Sequence, residues 1–109
     1  MTTEQVASMV SEIGLPFAYY EFPDNTELTP PFVSFLFTDS SDVYADDENY
    51  VDKRTLVIEL YTAAKDFDLE QTVRGVLNAH NMTFTTNADH LDNEQMFITT
   101  YTTEVIIDA

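Results

Sequence analysis

The chain has 109 residues, of which 44% are hydrophobic and 13% aromatic, so it can build the core of a single domain spanning residues 1–109. Twenty acidic residues face four basic ones, and the net charge of -16 argues against nucleic-acid binding through phosphate neutralisation. The absence of cysteine removes disulfides, thiolate metal sites and cysteine nucleophiles. No run approaches the ~20 apolar residues of a membrane span, and the N-terminus lacks a signal core, so we expect neither membrane insertion nor export.

A first helix is predicted from Thr2 to Ile13. Thr2 and Gln5 have the spacing of a capping box, and Gly14 stands where a left-handed residue ends a helix. Apolar residues recur at helical spacing, which predicts one buried stripe. The stripe consists of Val6, Met9, Val10 and Ile13.

Two strands are predicted next, at Phe17–Phe22 and Phe32–Thr38. The first alternates and ends in the turn-forming sequence Pro23-Asp24-Asn25. The second is apolar on both faces, a pattern typical of a strand inside a sheet.

The segment Asp39 to Asn49 is strongly acidic and joins two strong strands, so it is either a long hairpin loop or an extended arm. A divalent-cation site is disfavoured, because the acids lack the spacing and the glycine of a calcium-binding loop. The alternatives left open are a solvated loop anchored by aromatic residues and a loop that orders on a partner.

The central strand is predicted from Tyr50 to Thr62, and the other elements are organised around it. Leu56, Ile58 and Leu60 alternate onto one purely apolar face, which we expect to carry the core. The other face carries Val57, Glu59 and Tyr61, a mixture that indicates a half-covered surface or a contact with another chain.

A second helix follows, with Asp68 as its predicted N-cap and its end near His80-Asn81. We expect His80 to have a structural role at the helix terminus, not a catalytic one. Gly75 is a candidate for close packing on the sheet, at a cost of about 1 kcal/mol relative to alanine. The apolar stripe of this helix consists of Leu69, Val73, Val76 and Leu77.

Two threonine-rich strands complete the chain, at Met82–Asn87 and Met96–Ile107, connected by Ala88–Glu94. The last strand is β-branched on both faces, which favours a position inside a sheet or at a subunit contact. The predicted fold is α+β, with the order α-β-β-β-α-β-β: two helices pack on one face of a mixed, mostly antiparallel sheet of five strands. The other face would be left open for contacts between subunits.

Catalytic motifs are missing from the sequence. Gly14 and Gly75 are the only glycines, so no glycine-rich phosphate loop and no Gly-x-Ser-x-Gly nucleophile motif can form. Neither His80 nor His90 belongs to a recognisable metal-ligand motif. We therefore expect no enzymatic activity, no metal and no cofactor.

Several short stretches, in order and spacing from residue 16 to 106, resemble a family encoded in the head-to-tail gene cluster of long-tailed bacteriophages and prophages of Gram-positive bacteria. They are Pro30-Pro31-Phe32, Ala45-Asp46 with Tyr50, Ile58 to Thr62 followed by Lys65-Asp66, Val76-Leu77, and Tyr101 with Glu104. Members of this family are tail-completion or tail-terminator proteins.

The resemblance implies a non-catalytic virion protein, made in the host cytoplasm, that forms a ring of six copies. Such a ring caps the tail tube, stops its polymerisation and joins it to the head connector, so the implied partners are other copies, the tube protein and the connector protein. The chain departs from the family in its few lysines and many aspartates. An acidic wall would repel DNA passing through the ring.

From this picture we predict that Val43, Tyr44, Asp46 and Asp47 contact a neighbouring subunit or the tube, with Tyr61 on the mixed face as a further contact residue. The alternative is an acidic adaptor or inhibitor that mimics DNA and binds a basic protein.

Overall fold

A computed structural model describes residues 1–19, 29–45, 49–91 and 96–107, with the side chains of these ranges except 39–45, 49–52 and 91. The elements follow the predicted order of α-β-β-β-α-β-β. They are α1 (Thr3–Ser11), β1 (Phe17–Tyr19), β2 (Phe32–Ala45), β3 (Asn49–Thr62), α2 (Phe67–Ala79), β4 (Phe84–Leu91) and β5 (Met96–Ile107).

The five strands form one mixed sheet in the order β1-β2-β3-β5-β4. β1 pairs with β2 in parallel, and the other three neighbouring pairs are antiparallel. The predicted fold class is confirmed. The sheet is centred on β3, which pairs along nearly its whole length with β2 on one side and β5 on the other.

The core lies between both helices and one face of the sheet. Leu56, Ile58 and Leu60 of β3 are at most 1% exposed, as the alternation predicted. They form one cluster with the helix stripes and with neighbouring strands. The other members of the cluster are Val6, Met9, Val10, Ile13, Val33, Phe35, Val73, Leu77, Tyr101 and Val105.

The start and end of α1 follow the predicted chemistry. Thr2 Oγ1 accepts a hydrogen bond from the Gln5 amide at 3.1 Å, and Gln5 Oε1 accepts one from the Thr2 amide at 2.8 Å. Gly14 has a φ of 85°, which glycine adopts without the steric cost of a Cβ atom.

The predicted N-cap of α2 is wrong by two residues. The helix begins at Phe67, and Asp66 caps it by accepting a hydrogen bond from the Leu69 amide at 3.0 Å. Asp68 lies in the first turn, where a carboxylate is still favourable towards the helix dipole. The helix ends as predicted: His80 is the C-cap and Asn81 has a φ of 58°. His80 Nε2 lies 2.7 Å from Glu12 Oε2, so it joins the C-terminal ends of the two helices.

Two strands are longer and one is described over a shorter range than predicted. β2 continues past Thr38 to Ala45, so the described part of the acidic segment from 39 to 45 is strand. β4 begins at Phe84 and continues to Leu91, because Asp89 and His90 remain paired with β5. The described part of β1 ends at Tyr19, and the remainder of the predicted Phe17–Phe22 strand lies outside the described residues.

Candidate interaction site

The hairpin of β2 and β3 projects beyond the rest of the sheet. The last pair between β3 and β5 is Asp52 with Ile107, whereas β2 and β3 remain paired as far as Ala45 with Asn49. We call residues 42–45 and 49–52 the arm. Among the described residues no third strand pairs with β3 from Asn49 to Val51, and the principal extents of 50 × 30 × 22 Å reflect this elongated shape.

A bulge separates the arm from the sheet body. The register shifts between Phe37 and Ser40, so that β2 carries one more residue than β3 at this point. A bulge of this kind bends the strand and increases its twist. The bulge therefore sets the direction in which the arm leaves the domain.

The arm is poorly stabilised by its own pairing. The register places the backbone of Asp42 directly opposite that of Asp52, and beyond this pair the described ladder has two strands only. An isolated two-stranded ribbon is itself marginal in water. Contact with a partner would therefore add more stability here than in the five-stranded body of the sheet.

Two of the predicted contact residues lie on the arm. The backbones of Val43 and Tyr44 belong to β2, opposite Val51 and Tyr50 in the register. Asp46 and Asp47, between the two strands, lie outside the described residues. The contacts predicted for these four residues remain a prediction.

Tyr61, the fifth predicted contact residue, lies away from the arm at the other end of β3. Its ring stacks on Phe32 with centroids 4.7 Å apart, and its hydroxyl donates to Glu59 Oε2 at 3.0 Å. The side chain is half-buried. Tyr61 is therefore held in place by its own chain, on a surface separate from the arm.

The sheet face opposite the helices, which we call the second face, is unevenly covered. Val57, Glu59 and Tyr61 are half-buried, whereas Phe32 and Ser34 at the β2 end are only 7% and 4% exposed. At the β5 end Ile106 is 53% exposed. The expectation of one open face therefore holds along β3 and β5 but not at β2.

A groove of about 400 Å³ lies between the start of α1 and the β1 side of the sheet. Tyr19, Phe35 and Phe37 form its aromatic wall, and the Arg54 guanidinium lies 5.7 Å from the Phe37 ring centroid. Tyr19 is 51% exposed and Phe17, beside it on β1, is 39% exposed. This edge of the sheet therefore presents aromatic surface to its surroundings.

The opposite edge, β4, is a feature that the sequence reasoning missed. The backbone of this strand makes no backbone hydrogen bond to any described residue other than its partners in β5. The side chains from Thr85 to Asp89 are exposed. The sequence does contain a signal that could have indicated this edge: the stretch from Gly75 to Ala88 has no Asp, Glu, Lys or Arg, although these residues make up 22% of the chain.

Tyr101 is the one residue of the described part with a clearly shifted pKa. The pKa of its hydroxyl is raised to about 12, chiefly by burial in the core and also by the Glu70 carboxylate, whereas Arg74 opposes the shift. The hydroxyl donates to the Glu70 carbonyl at 3.2 Å. Because Tyr101 is closed inside the core, this shift reflects packing of α2 on the sheet and not an accessible reactive group.

The described residues contain no cluster of three or more His, Asp or Glu side chains arranged to hold a metal ion. Neither α1 nor α2 has the length and apolar character needed to cross a bilayer.

Comparison with known proteins identifies a shared fold. The sequence matches no protein-family model and no curated protein. The structure is similar to a chain in a solved structure described as "Virion of native gene transfer agent (GTA) particle", with a TM-score of 0.61 and 13% sequence identity. The match covers 94% of this chain and 86% of the other, so the two chains share one fold over nearly their whole length.

Proposed function

We propose that this protein is a structural, non-catalytic component of a phage-like virion. In this role it caps the tail tube and joins it to the head connector, as a tail-terminator or tail-completion protein. It acts as a ring of copies at the junction of head and tail, and it binds the tube protein on one side and the connector protein on the other.

The observation that carries the proposal is the fold shared with a chain of the gene transfer agent virion, over 94% of this chain. The resemblance of its short motifs to tail-terminator proteins points in the same direction. Two structural features suit assembly: an arm that leaves the domain, and sheet edges with few charged residues. The net charge of -16 would let DNA pass through a ring without adhering to its wall.

The test is to mix the purified chain with the self-assembling tube protein encoded in the same gene cluster and to image the products by electron microscopy. We expect shorter tubes, each with additional density at one end. Tubes of unchanged length with bare ends would contradict the proposal.

The arm is tested by a double variant, Tyr44→Ala with Asp46→Ala, followed by light scattering and electron microscopy. We expect weaker capping or weaker ring formation, because both changes remove predicted contacts. The matched control is Gln71→Ala with Asn78→Ala, two exposed positions on α2. Unchanged assembly of the arm variant would remove the arm from the contact surface.

The net charge of -16 favours a second candidate, an acidic adaptor or inhibitor of a basic protein. A DNA mimic would group its acids on one continuous face. In the described part, Glu12 caps the end of α1, Glu70 lies on α2 and Glu59 on the second face, so these three acids are dispersed. Salt-dependent binding to a nuclease without any effect on tubes would favour this candidate over the virion role.

A further inference from the structure

We propose that neighbouring copies join laterally through the two edges of the sheet, with the outer edge of β4 in one copy pairing with β1 of the next. The inference deepens the proposed function, on which it rests for its ring. It assigns the lateral contact to two sheet edges that carry little charge, and the arm to other contacts.

The β4 edge has few of the devices that proteins use to prevent edge-to-edge pairing, and Asp89 is its one charged residue. It contains no lysine and no proline, and its register with β5 is continuous from Phe84 to Leu91 without a bulge. In an antiparallel ladder, every second residue of an edge strand directs its N–H and C=O groups outward. β4 therefore offers a regular row of donors and acceptors.

The β1 edge has complementary character. Within the described residues β1 pairs only with β2, which leaves its other side as the second edge of the sheet. Phe17 and Tyr19 expose aromatic surface there, on the helix side of the sheet. On the same side of β4, Arg74 lies over the Phe84 ring at 5.6 Å and donates to Thr86 Oγ1 at 3.3 Å. Aromatic rings brought beside this guanidinium would make a favourable contact.

Charge identifies the occupant of these edges as another copy of the chain. Two molecules of net charge -16 repel each other, so they can associate only where acids are sparse. The stretches Ile13–Tyr20 and Gly75–Ala88 contain no Asp, Glu, Lys or Arg, and they include β1 and the first part of β4. The two edges therefore meet with Asp89, near the end of β4, as the one carboxylate on either described strand.

The strand directions permit a closed ring. β4 runs antiparallel to β1, because β1 is parallel to β2 and the three following steps across the sheet are antiparallel. Copies in the same orientation then place β4 beside β1 as an antiparallel pair, which continues one sheet from copy to copy. Since the two edges are different surfaces, the contact is head-to-tail and closes into a ring when the rotation permits.

Paired cysteines test the contact, since the chain has none of its own. Two double variants each place one cysteine on β1 and one on β4. They are Ala18→Cys with Thr85→Cys, and Ala18→Cys with Asn87→Cys. Residue alternation places all three positions on the second face. The cysteines lie at opposite edges of one chain, so disulfides must join different copies.

Under oxidised glutathione at high salt, one of these variants should form a ladder of linked chains that extends beyond the dimer on a non-reducing gel. No such ladder should form with any single-cysteine variant or with the control pair Ala18→Cys and Asn78→Cys. Efficient dimers from Asn87→Cys alone would show β4 pairing with itself and overturn the proposal. Absence of a ladder both in solution and on capped tubes would overturn it as well.

Added charge supplies a second measurement. Thr85→Asp with Asn87→Asp should raise the concentration needed for self-association at least about tenfold, because pairing would then take two carboxylates out of water beside a strand that has no basic residue to pair with them. Gln71→Glu with Asn78→Asp adds the same charge on the exposed side of α2 and should change that concentration little. Circular dichroism and urea unfolding establish that both variants fold. Equal effects of the two variants would contradict an edge contact.

The outcomes separate this inference from the proposed function. Capped tubes without a cysteine ladder would leave the virion role in place and remove the edge contact. A ladder without any effect on tubes would retain the edge contact and remove the tail-terminator role.

Discussion

Replacement of Ile58 by alanine tests the difference between the two faces of the sheet. Ile58 is 1% exposed, and its cross-strand partners Phe35 and Tyr101 are 5% and 0% exposed. The change removes three carbon atoms, worth roughly 0.8 kcal/mol each in transfer free energy, and leaves a cavity in the core. We expect a loss of about 3 kcal/mol in the free energy of unfolding. A domain of this size has about 5–15 kcal/mol in total, so the variant should still fold.

The matched control is Val57→Ala, the adjacent residue on the second face. Val57 is half-buried and is also β-branched, so both substitutions lose a similar strand preference. Because folding removes less of the Val57 side chain from water, we expect Val57→Ala to lower the free energy of unfolding by about 1 kcal/mol.

Urea unfolding of the dilute monomer, followed by circular dichroism, measures both variants. If the free energy of unfolding falls by about 1.5 kcal/mol per M of urea, the urea concentration at the unfolding midpoint should decrease by about 2 M for Ile58→Ala and by about 0.7 M for Val57→Ala. Equal shifts would refute the assignment of the core to one face, because they would require Val57 to be as fully packed as Ile58.

Three further changes test local features. Thr2→Ala should lower the free energy of unfolding by about 1 kcal/mol, because it removes the N-cap of α1, and denaturant titration measures this. Alanine at the two glycines should shift the thermal unfolding temperature in opposite directions. Gly14→Ala should lower it, because the residue has a φ of 85° that alanine adopts only with strain. Gly75→Ala should raise it by stabilising α2 by about 0.5–1 kcal/mol, because nothing lies within 4 Å of the added Cβ. Tyr101 has a pKa raised to about 12 from 10.0, so its contribution to stability is complete below pH 10 and is lost as the pH rises through 12. Tyr101→Phe should therefore flatten the decline of stability with alkaline pH, and an unchanged decline would argue against this origin.

The order of elements and the core could be predicted because they depend on local patterns. Alternation along β3 identified Leu56, Ile58 and Leu60, and helical spacing identified the stripes of α1 and α2. The ends of α1 followed from the chemistry of Thr2 and Gly14. These signals are carried by neighbouring residues, so they can be read without knowing which strands pair.

The limits of β5 were predicted correctly and those of β3 to within one residue, but those of β2 and β4 were not, because strand pairing decided them. Asp89 and His90 are poor strand formers, yet they remain in β4 because β5 offers backbone partners along its whole length. The same holds for the polar residues of β2 from Ser40 to Asp42, which pair with β3. At the start of α2, Asp66 and Asp68 were equally suitable caps by residue type, and only the backbone geometry at Asp66 distinguishes them.

The candidate contacts were predicted in part. The acidic composition pointed to the arm, but the sheet edges depend on strand order, which the sequence does not reveal. Gly75 was wrongly interpreted as a site of close packing, since it faces open space on α2. A single glycine in a helix does not indicate which side of the helix meets the sheet.

The bulge between Phe37 and Ser40 also has an evolutionary consequence. The extra residue lies between the arm and the part of the hairpin that packs on the helices, so the two parts of the hairpin can change length independently. Deleting one residue from each strand of the arm, as a cross-strand pair, leaves the alternation of β3 from Leu56 to Leu60 intact. The reach of the arm can thus change without repacking the interior.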